Sequence, residues 1–204
     1  NYIDGLFPLL AAAMLLVGFY DSGQAPVMPL SQLKATDVVV TAAARTPMGG
    51  FQGGLSKLSA TDMGAASIRA ALSRANLADT PIDEVLMGNV LCAGLGQAPA
   101  RQAALAAGLG EGTPCTTVSK VCGSGMKAVM LAYDQIKAGN ASVAVAGGVE
   151  SMTNAPYLLS TAPDGMRPGH RAVTAHHVSD GLDEPSPGQA TGALAQEHAD
   201  RCQT

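Results

Sequence analysis

Four apolar, β-branched-rich stretches alternate with helix-forming ones through the middle of this chain, and that alternation constrains the fold more than any other feature. Residues 37–43 (Asp-Val-Val-Val-Thr-Ala-Ala) form a buried strand that runs into Arg45-Thr46-Pro47 and the glycines Gly49, Gly50, Gly53 and Gly54. Thr61 or Asp62 caps a helix whose apolar side is Met63, Ala66, Ile68, Ala70, Ala71 and Leu72 and which ends near Asn76. Residues 84–91 make a second strand. A helix then opens at Pro99 and carries Ala103, Ala104, Leu105 and Ala107 to Gly108. Residues 114–119 form a third strand, 122–138 a helix stopped by Gly139-Asn140, and 142–146 a fourth strand ending in Gly147-Gly148. This spacing is the pattern of right-handed βαβ crossovers. The expected fold class is α/β: a parallel-rich sheet built from βαβ units with helices on both faces.

Composition says how such a sheet is packed. With 47% apolar and 14% charged residues the 204-residue chain buries a core, which excludes disorder as a general description. Ala occupies 36 positions and Gly 24, aromatics are 3% and Trp is absent, so small side chains must let helices and strands approach closely. Lys+Arg 12 against Asp+Glu 16 gives a net charge of −4, leaving no basic surplus for a phosphate backbone, so no nucleic-acid partner is expected. Four Cys without a C-x-x-C are neither a disulfide framework nor a zinc signature; reduced thiols in the cytoplasm and no metal are expected.

The two ends of the chain lack the central rhythm. Four of the seven aromatics (Tyr2, Phe7, Phe19, Tyr20) precede Lys34, the first basic residue, and residues 6–20 are an apolar run. At fifteen residues this run is short for a membrane span, which needs about 20, so no membrane partner is expected. It resembles a signal-peptide core, with Gly23-Gln24-Ala25 as a small-residue cleavage site, but the basic n-region is missing. The reading that fits best makes residues 1–27 a leader or non-native upstream segment joined to a start at Met28. Residues 150–190 hold five prolines and read as loops rather than sheet, and residues 192–201 as a helix with Leu194 and Ala195 facing inward.

The chemistry concentrates at Thr117-Val118-Ser119-Lys120-Val121-Cys122-Gly123-Ser124-Gly125-Met126-Lys127-Ala128. A strand ends there, the chain turns, and Cys122 stands beside the first turn of a helix, whose free N–H groups and dipole favour an anion. A thiol so placed loses its proton more readily, the condition for nucleophilic attack. Gly123 and Gly125 keep the space above the sulfur open, and the backbone N–H of Cys122 can join an oxyanion hole. The bland alternative is a small core filler. Elsewhere the simpler readings prevail. His176-His177 are exposed loop residues, Gly94-Leu95-Gly96 is a turn, and Gly123-Ser124-Gly125 lacks the flanking glycines of a hydrolase elbow. Cys92, Cys115 and Cys202 are packing residues, and Glu150 either lies at an α/β site or caps a loop.

Together with Ala44-Arg45-Thr46-Pro47-Met48-Gly49-Gly50-Phe51, Met87-Gly88-Asn89-Val90-Leu91, Gly96-Gln97-Ala98-Pro99-Ala100-Arg101-Gln102 and Val145-Ala146-Gly147-Gly148-Val149-Glu150-Ser151-Met152-Thr153-Asn154-Ala155-Pro156, that stretch closely resembles the thiolase family (acetyl-CoA acetyltransferases and 3-ketoacyl-CoA thiolases). The resemblance runs in order from about Asp37 onward. It implies reversible transfer between two acyl-CoA molecules and a 3-ketoacyl-CoA plus coenzyme A through an acyl-cysteine thioester, with no cofactor beyond the coenzyme A substrate. Cys122 matches the acyl-carrying nucleophile. Asp180-Gly181-Leu182 matches a segment lying along the pantetheine arm, making Leu182 an apolar contact. Ala190-Thr191-Gly192 stands where acetoacetyl-CoA-type members carry His-Met-Gly; Ala190 and Thr191 then border the acyl pocket, and loss of the Met wall predicts a preference not restricted to acetyl.

The resemblance further implies a half-domain over residues 28–149, part of an inserted loop domain over 150–204, and a homo-oligomer (dimer or tetramer) when full length. The family's two bases come from a Gly-His-Pro and a Cys-x-Gly motif in the C-terminal half. Downstream of Cys122 neither appears, since His170 is followed by Arg171, His198 by Ala199 and Cys202 by Gln203. The 204 residues alone are therefore expected to be inactive. The rival readings are an inert truncated thiolase and a ketoacyl-synthase relative with the same fold and nucleophile.

Overall fold

The computed structural model describes residues 13–18, 37–159, 170–183 and 190–202. Its centre is a five-stranded sheet of β1 (Ala13–Gly18), β2 (Val39–Arg45), β3 (Glu84–Gly88), β4 (Cys115–Val118) and β5 (Val143–Gly148), in the order β2-β1-β5-β3-β4. β3 pairs in parallel with β4 and β5, as the alternation predicts, whereas β1 is antiparallel to both β2 and β5. Of residues 1–27, expected as a leader or upstream segment, only 13–18 are described. Ala13–Gly18, the middle of the apolar run, lies inside the sheet, and a strand with neighbours on both edges is built from such runs.

Helices cover both faces, giving three α/β/α layers. α1 (Ala60–Arg74) and α2 (Pro99–Ala107) bury Met63, Ile68, Ala71, Leu72, Ala100, Ala103 and Ala104 against Val85, Met87, Val145 and Val149. α3 (Ser124–Lys137) covers the other face, with Ala128, Ala132 and Ile136 against Leu86, Ala144 and Ala146. These buried positions of α3 recur at every fourth residue, the stripe a helix presents to a sheet. The helix boundaries shift slightly from expectation. Ser59, not Thr61 or Asp62, caps α1 through a capping box: its hydroxyl accepts from the Asp62 N–H (3.0 Å) and the Asp62 carboxylate accepts from the Ser59 N–H (3.0 Å). On α1 Ala66 is exposed rather than core-facing.

The excursion after β5 is more ordered than its prolines suggest. β6 (Tyr157–Leu159) and β7 (Val173–Ala175) form a small antiparallel sheet, followed by the single-turn α4 (His176–Ser179) and by α5 (Thr191–Cys202). On α5 Ala195 is exposed instead of inward-facing, and the side chains of Leu194, His198 and Cys202 lie outside the described residues, as do Gly23-Gln24-Ala25 and Met28.

The small-residue composition has its sharpest use where α3 meets the strand ends. A Cβ on Gly88, at the end of β3, would come within 2.4 Å of the Gly125 backbone nitrogen and the Ser124 carbonyl carbon. On Gly148, at the end of β5, it would come within 3.1 Å of the Gly125 Cα. Real Cβ contacts do not reach 2.4 Å, so the first turn of α3 rests directly on backbone.

Two predictions follow from these contacts. Gly88→Ala must push α3 off the strand end and should cost at least about 2 kcal/mol by the overpacking argument, read from the urea midpoint; an unchanged midpoint would contradict the packing. Hydrogen bonds from the Ser59 hydroxyl and N–H hold the Asp62 carboxyl below its ordinary 3.8, and the Ser142 and Val143 N–H groups do the same for Asp83. A depressed folded value means stability that is present above the ordinary value and lost as pH falls through the lowered one. The urea midpoint should thus decline below about pH 4, less steeply in Asp62→Asn.

Candidate active site

β3 and β5 are adjacent and parallel, so their C-terminal ends open on the same side of the sheet, where the chains leaving them diverge. Both ends carry polar residues straight after the apolar strand: Asn89 after Gly88, and Glu150 after Val149. The structure brings them together. The Glu150 carboxylate accepts from Asn89 Nδ2 (2.6 Å), from the Val90 N–H (2.9 Å) and from the Leu91 N–H (3.1 Å), while Asn89 Nδ2 also donates to the Val149 carbonyl (3.0 Å). The Asn89 N–H still donates to the Val118 carbonyl of β4 (2.9 Å), but the Val90 and Leu91 N–H groups leave the ladder for this carboxylate, which is why β3 ends near Gly88 rather than at Leu91.

Burial pushes the Glu150 carboxyl above its ordinary 4.5, against the opposing pull of the Val90 and Leu91 N–H groups, the nearby His176 imidazole and the Asn89 amide. His176 is buried at the N-terminus of α4, not exposed in a loop: its Nε2 accepts from the Ala93 N–H (3.4 Å) and its Nδ1 lies 2.9 Å from an Asp180 carboxylate oxygen. The His177 ring lies against that of Phe51, tilted by 43° with centroids 5.5 Å apart. Cys92 donates its thiol to Asn89 Oδ1 (2.9 Å), and burial, with the Glu150 charge behind it, pushes that thiol up. Cys92-Ala93-Gly94 has the Cys-x-Gly form, upstream of Cys122, but its sulfur is engaged in this network. Cys115, half-buried in β4, is likewise pushed up by burial.

Cys122 sits between the end of β4 and the first turn of α3, exposed, two residues ahead of Ser124. Its turn is tightly held. The buried Ser124 hydroxyl donates to the Val121 carbonyl (2.6 Å) and accepts from the Lys120 N–H (2.7 Å), and the Gly123 N–H donates to the Lys120 carbonyl (3.0 Å). Within the turn Val121 has φ +44°, a conformation a β-branched residue rarely adopts. Such strain costs on the order of 1–3 kcal/mol and persists where surrounding contacts over-determine it, here Ser124 on one side and the glycine contact on the other.

Of the other expected site residues, the structure joins Leu182, Ala190 and Thr191. Ala190 bridges Asp183, and both the Thr191 N–H and its hydroxyl donate to the Leu182 carbonyl (2.9 Å each). Cys122 belongs to a separate element. The Asn89–Glu150–His176 network was missed; its one signal is a polar residue directly after the apolar run of each of two adjacent strands. No group of three or more His, Cys, Asp or Glu among the described residues is placed to hold a metal.

Two effects are expected of Glu150→Gln. The amide presents a donor where three N–H groups converge, and should cost about 1–3 kcal/mol in urea unfolding. A carboxyl raised in the folded state gives stability that is complete below the ordinary value and lost as pH rises through the raised one, so the variant should also lack that decline. A variant with the parent's pH profile would contradict the assignment.

Comparison with known proteins agrees with this geometry. A family model described as thiolase, N-terminal domain, matches residues 38–204. Acetyl-CoA acetyltransferase 2 of Arabidopsis thaliana is 55% identical over 146 residues, 72% of this chain and 36% of that protein. The acetyl-CoA acetyltransferase of Cupriavidus necator is 51% identical over 147 residues, 72% of this chain and 37% of that protein. A crystal structure of a thiolase from Ascaris suum in complex with coenzyme A superposes with a TM-score of 0.72 at 34% identity, covering 80% of this chain and 42% of that one. The chain thus spans about two fifths of the length of these relatives. The chain belongs to the thiolase family, its residues 38–204 matching that family's N-terminal domain.

Proposed function

We propose that this chain provides the acyl-accepting half of a thiolase-type acyltransferase, with Cys122 as nucleophile and an acyl-CoA as donor. The observation that carries the proposal is the exposed thiol at the start of α3, on a turn fixed by Ser124 and seated on glycine backbone. The Cys122 thiolate attacks the thioester carbonyl, and the tetrahedral oxyanion is met by backbone N–H groups at the helix start, Cys122's own among them. Collapse expels the coenzyme A thiolate and leaves an S-acyl Cys122. Thioester is exchanged for thioester, so the step costs little. In the synthetic direction the α-carbon of a second acyl-CoA gives up a proton, which balances the one taken up by the departed coenzyme A thiolate, and attacks the acyl-enzyme carbonyl; the carbon–sulfur bond breaks, releasing 3-ketoacyl-CoA and regenerating the Cys122 thiolate.

That the acyl donor is a coenzyme A thioester is supported by the names of the relatives and by the coenzyme A complex of the Ascaris suum thiolase. Leu182, Ala190 and Thr191, gathered by one bridge, are proposed to border the pantetheine arm and acyl group. The Thr191 hydroxyl is committed to the Leu182 carbonyl, so what that position offers a substrate is a methyl group rather than a long thioether, which favours acyl groups beyond acetyl. The outward face of α3 exposes Met126, Met130 and Tyr133, one stripe at helical spacing, beside the similarly exposed Val121. We assign it to contact with the part of a thiolase that the matched relatives carry beyond this stretch. An oligomer of the completed enzyme fits the same account. The free thiols suit a reducing compartment such as the cytoplasm, and no helix among the described residues is long and apolar enough to cross a membrane.

Incubation with acetyl-CoA followed by peptide mass spectrometry tests the proposal. One acetyl group should appear on the peptide containing Cys122, and none on that peptide in Cys122→Ala, with transfer stopping at one equivalent. A folded chain that stays unmodified would favour the inert reading. An acetyl group on Cys92 or Cys115 instead would place the nucleophile wrongly.

A further inference from the structure

The position of β1 carries a separate inference. β2, β5, β3 and β4 all lie within residues 38–204, the stretch matched by the family model, and β1 lies outside it. Yet β1 is an interior strand, second in the sheet, running antiparallel between the edge strand β2 and the middle strand β5. Because it is antiparallel to both, β2 and β5 are parallel to each other across a gap one strand wide, two inter-strand spacings or about 9.6 Å. Remove β1 and two rows of backbone N–H and C=O groups, on β2 and β5, face each other unpaired inside a sheet whose faces are covered. A fold shared over residues 38–204 cannot leave that gap empty, since unpaired interior backbone groups are costly. In the relatives, of which this chain spans only about two fifths, another segment must occupy it.

We propose that the gap between β2 and β5 is a strand-acceptor slot, and that residues 13–18 of this same chain fill it as a surrogate strand. Both edges pair with the segment over nearly its whole length: Met14 faces Ala44 and Gly147, Leu15 faces Ala43 and Ala146, and Leu16 faces Ala42 and Val145. Twenty residues separate β1 from β2, where a two-residue hairpin would suffice, so no tight turn imposes the register. The slot imposes it, with a bulge between Leu16 and Val17 absorbing the mismatch against β2. Insertion of an uncharged apolar segment between two waiting edges is donor-strand complementation performed within one chain. A slot satisfied this way accepts a strand by backbone pairing and apolar character more than by any one side chain. Residues 13–18 would accordingly compete with the strand that completes the sheet in a longer thiolase.

The test uses the full 204-residue chain with Leu15→Pro and Val17→Pro together, because proline cannot sit in a strand paired on both edges. Hydrogen exchange should show the Val39–Arg45 and Val143–Gly148 amides exchanging about tenfold or more faster than in the parent. Adding excess synthetic peptide of residues 11–20 should restore their protection, whereas a scrambled peptide should not. The proposal is overturned if the two segments keep the parent's protection despite the prolines, or if the matching peptide restores no more than the scrambled one. Protection in the parent that falls on dilution would assign the slot to a second copy and overturn the within-chain assignment.

Discussion

The first turn of α3 lies on bare backbone at the ends of β3 and β5, and the placement of Cys122 depends on that contact. Gly88, Gly125 and Gly148 meet with no side chain between them, so the distance between helix and sheet is set by main-chain atoms. Any larger residue at Gly88 would interpose a methyl group where 2.4 Å is available. A rigid seat of this kind gives the adjoining turn one geometry. Ser124 can then close the turn on both sides, and Val121 can be held at positive φ. The chain's large share of Ala and Gly serves this contact as well as the tight helix layers, and the near absence of aromatics follows from it.

A second constraint works at the same strand ends. Glu150 gathers the backbone that leaves β3, and His176 reaches the neighbouring Ala93 N–H from the excursion after β5. Two segments far apart in sequence are thereby tied to one carboxylate and one imidazole beside the sheet. The balance at Glu150 is between burial, which disfavours its charge, and three converging N–H groups, which favour it. Geometry and charge thus combine to fix the backbone that leaves β3 next to the strand end on which α3 rests.

How much of this was legible from the residues alone depended on range. β2 to β5 and α1 to α3 were legible because each is long enough to show its own period, and the Cys122 turn because strand, glycines and helix are contiguous. The early end of β3 was not legible: the carboxylate that draws Val90 and Leu91 away lies some sixty residues on. Nor was the burial of His176, which adjacency to His177 disguises and a single-turn helix enforces. β6 and β7 have three residues each, too few for alternation to register. The apolar run that holds β1 resembles a leader locally, and only its two distant partners reveal a strand.

The central claim is that this scaffold presents the Cys122 thiol for attack and withholds those of Cys92 and Cys115. Timed alkylation of the native chain with iodoacetamide, resolved by peptide mapping, measures that directly. Cys122, exposed on its fixed turn, should react at least about tenfold faster than Cys92 and Cys115, which are half-buried and held protonated, and the difference should vanish in denaturant. Equal rates in the native chain, or Cys92 reacting first, would contradict the account.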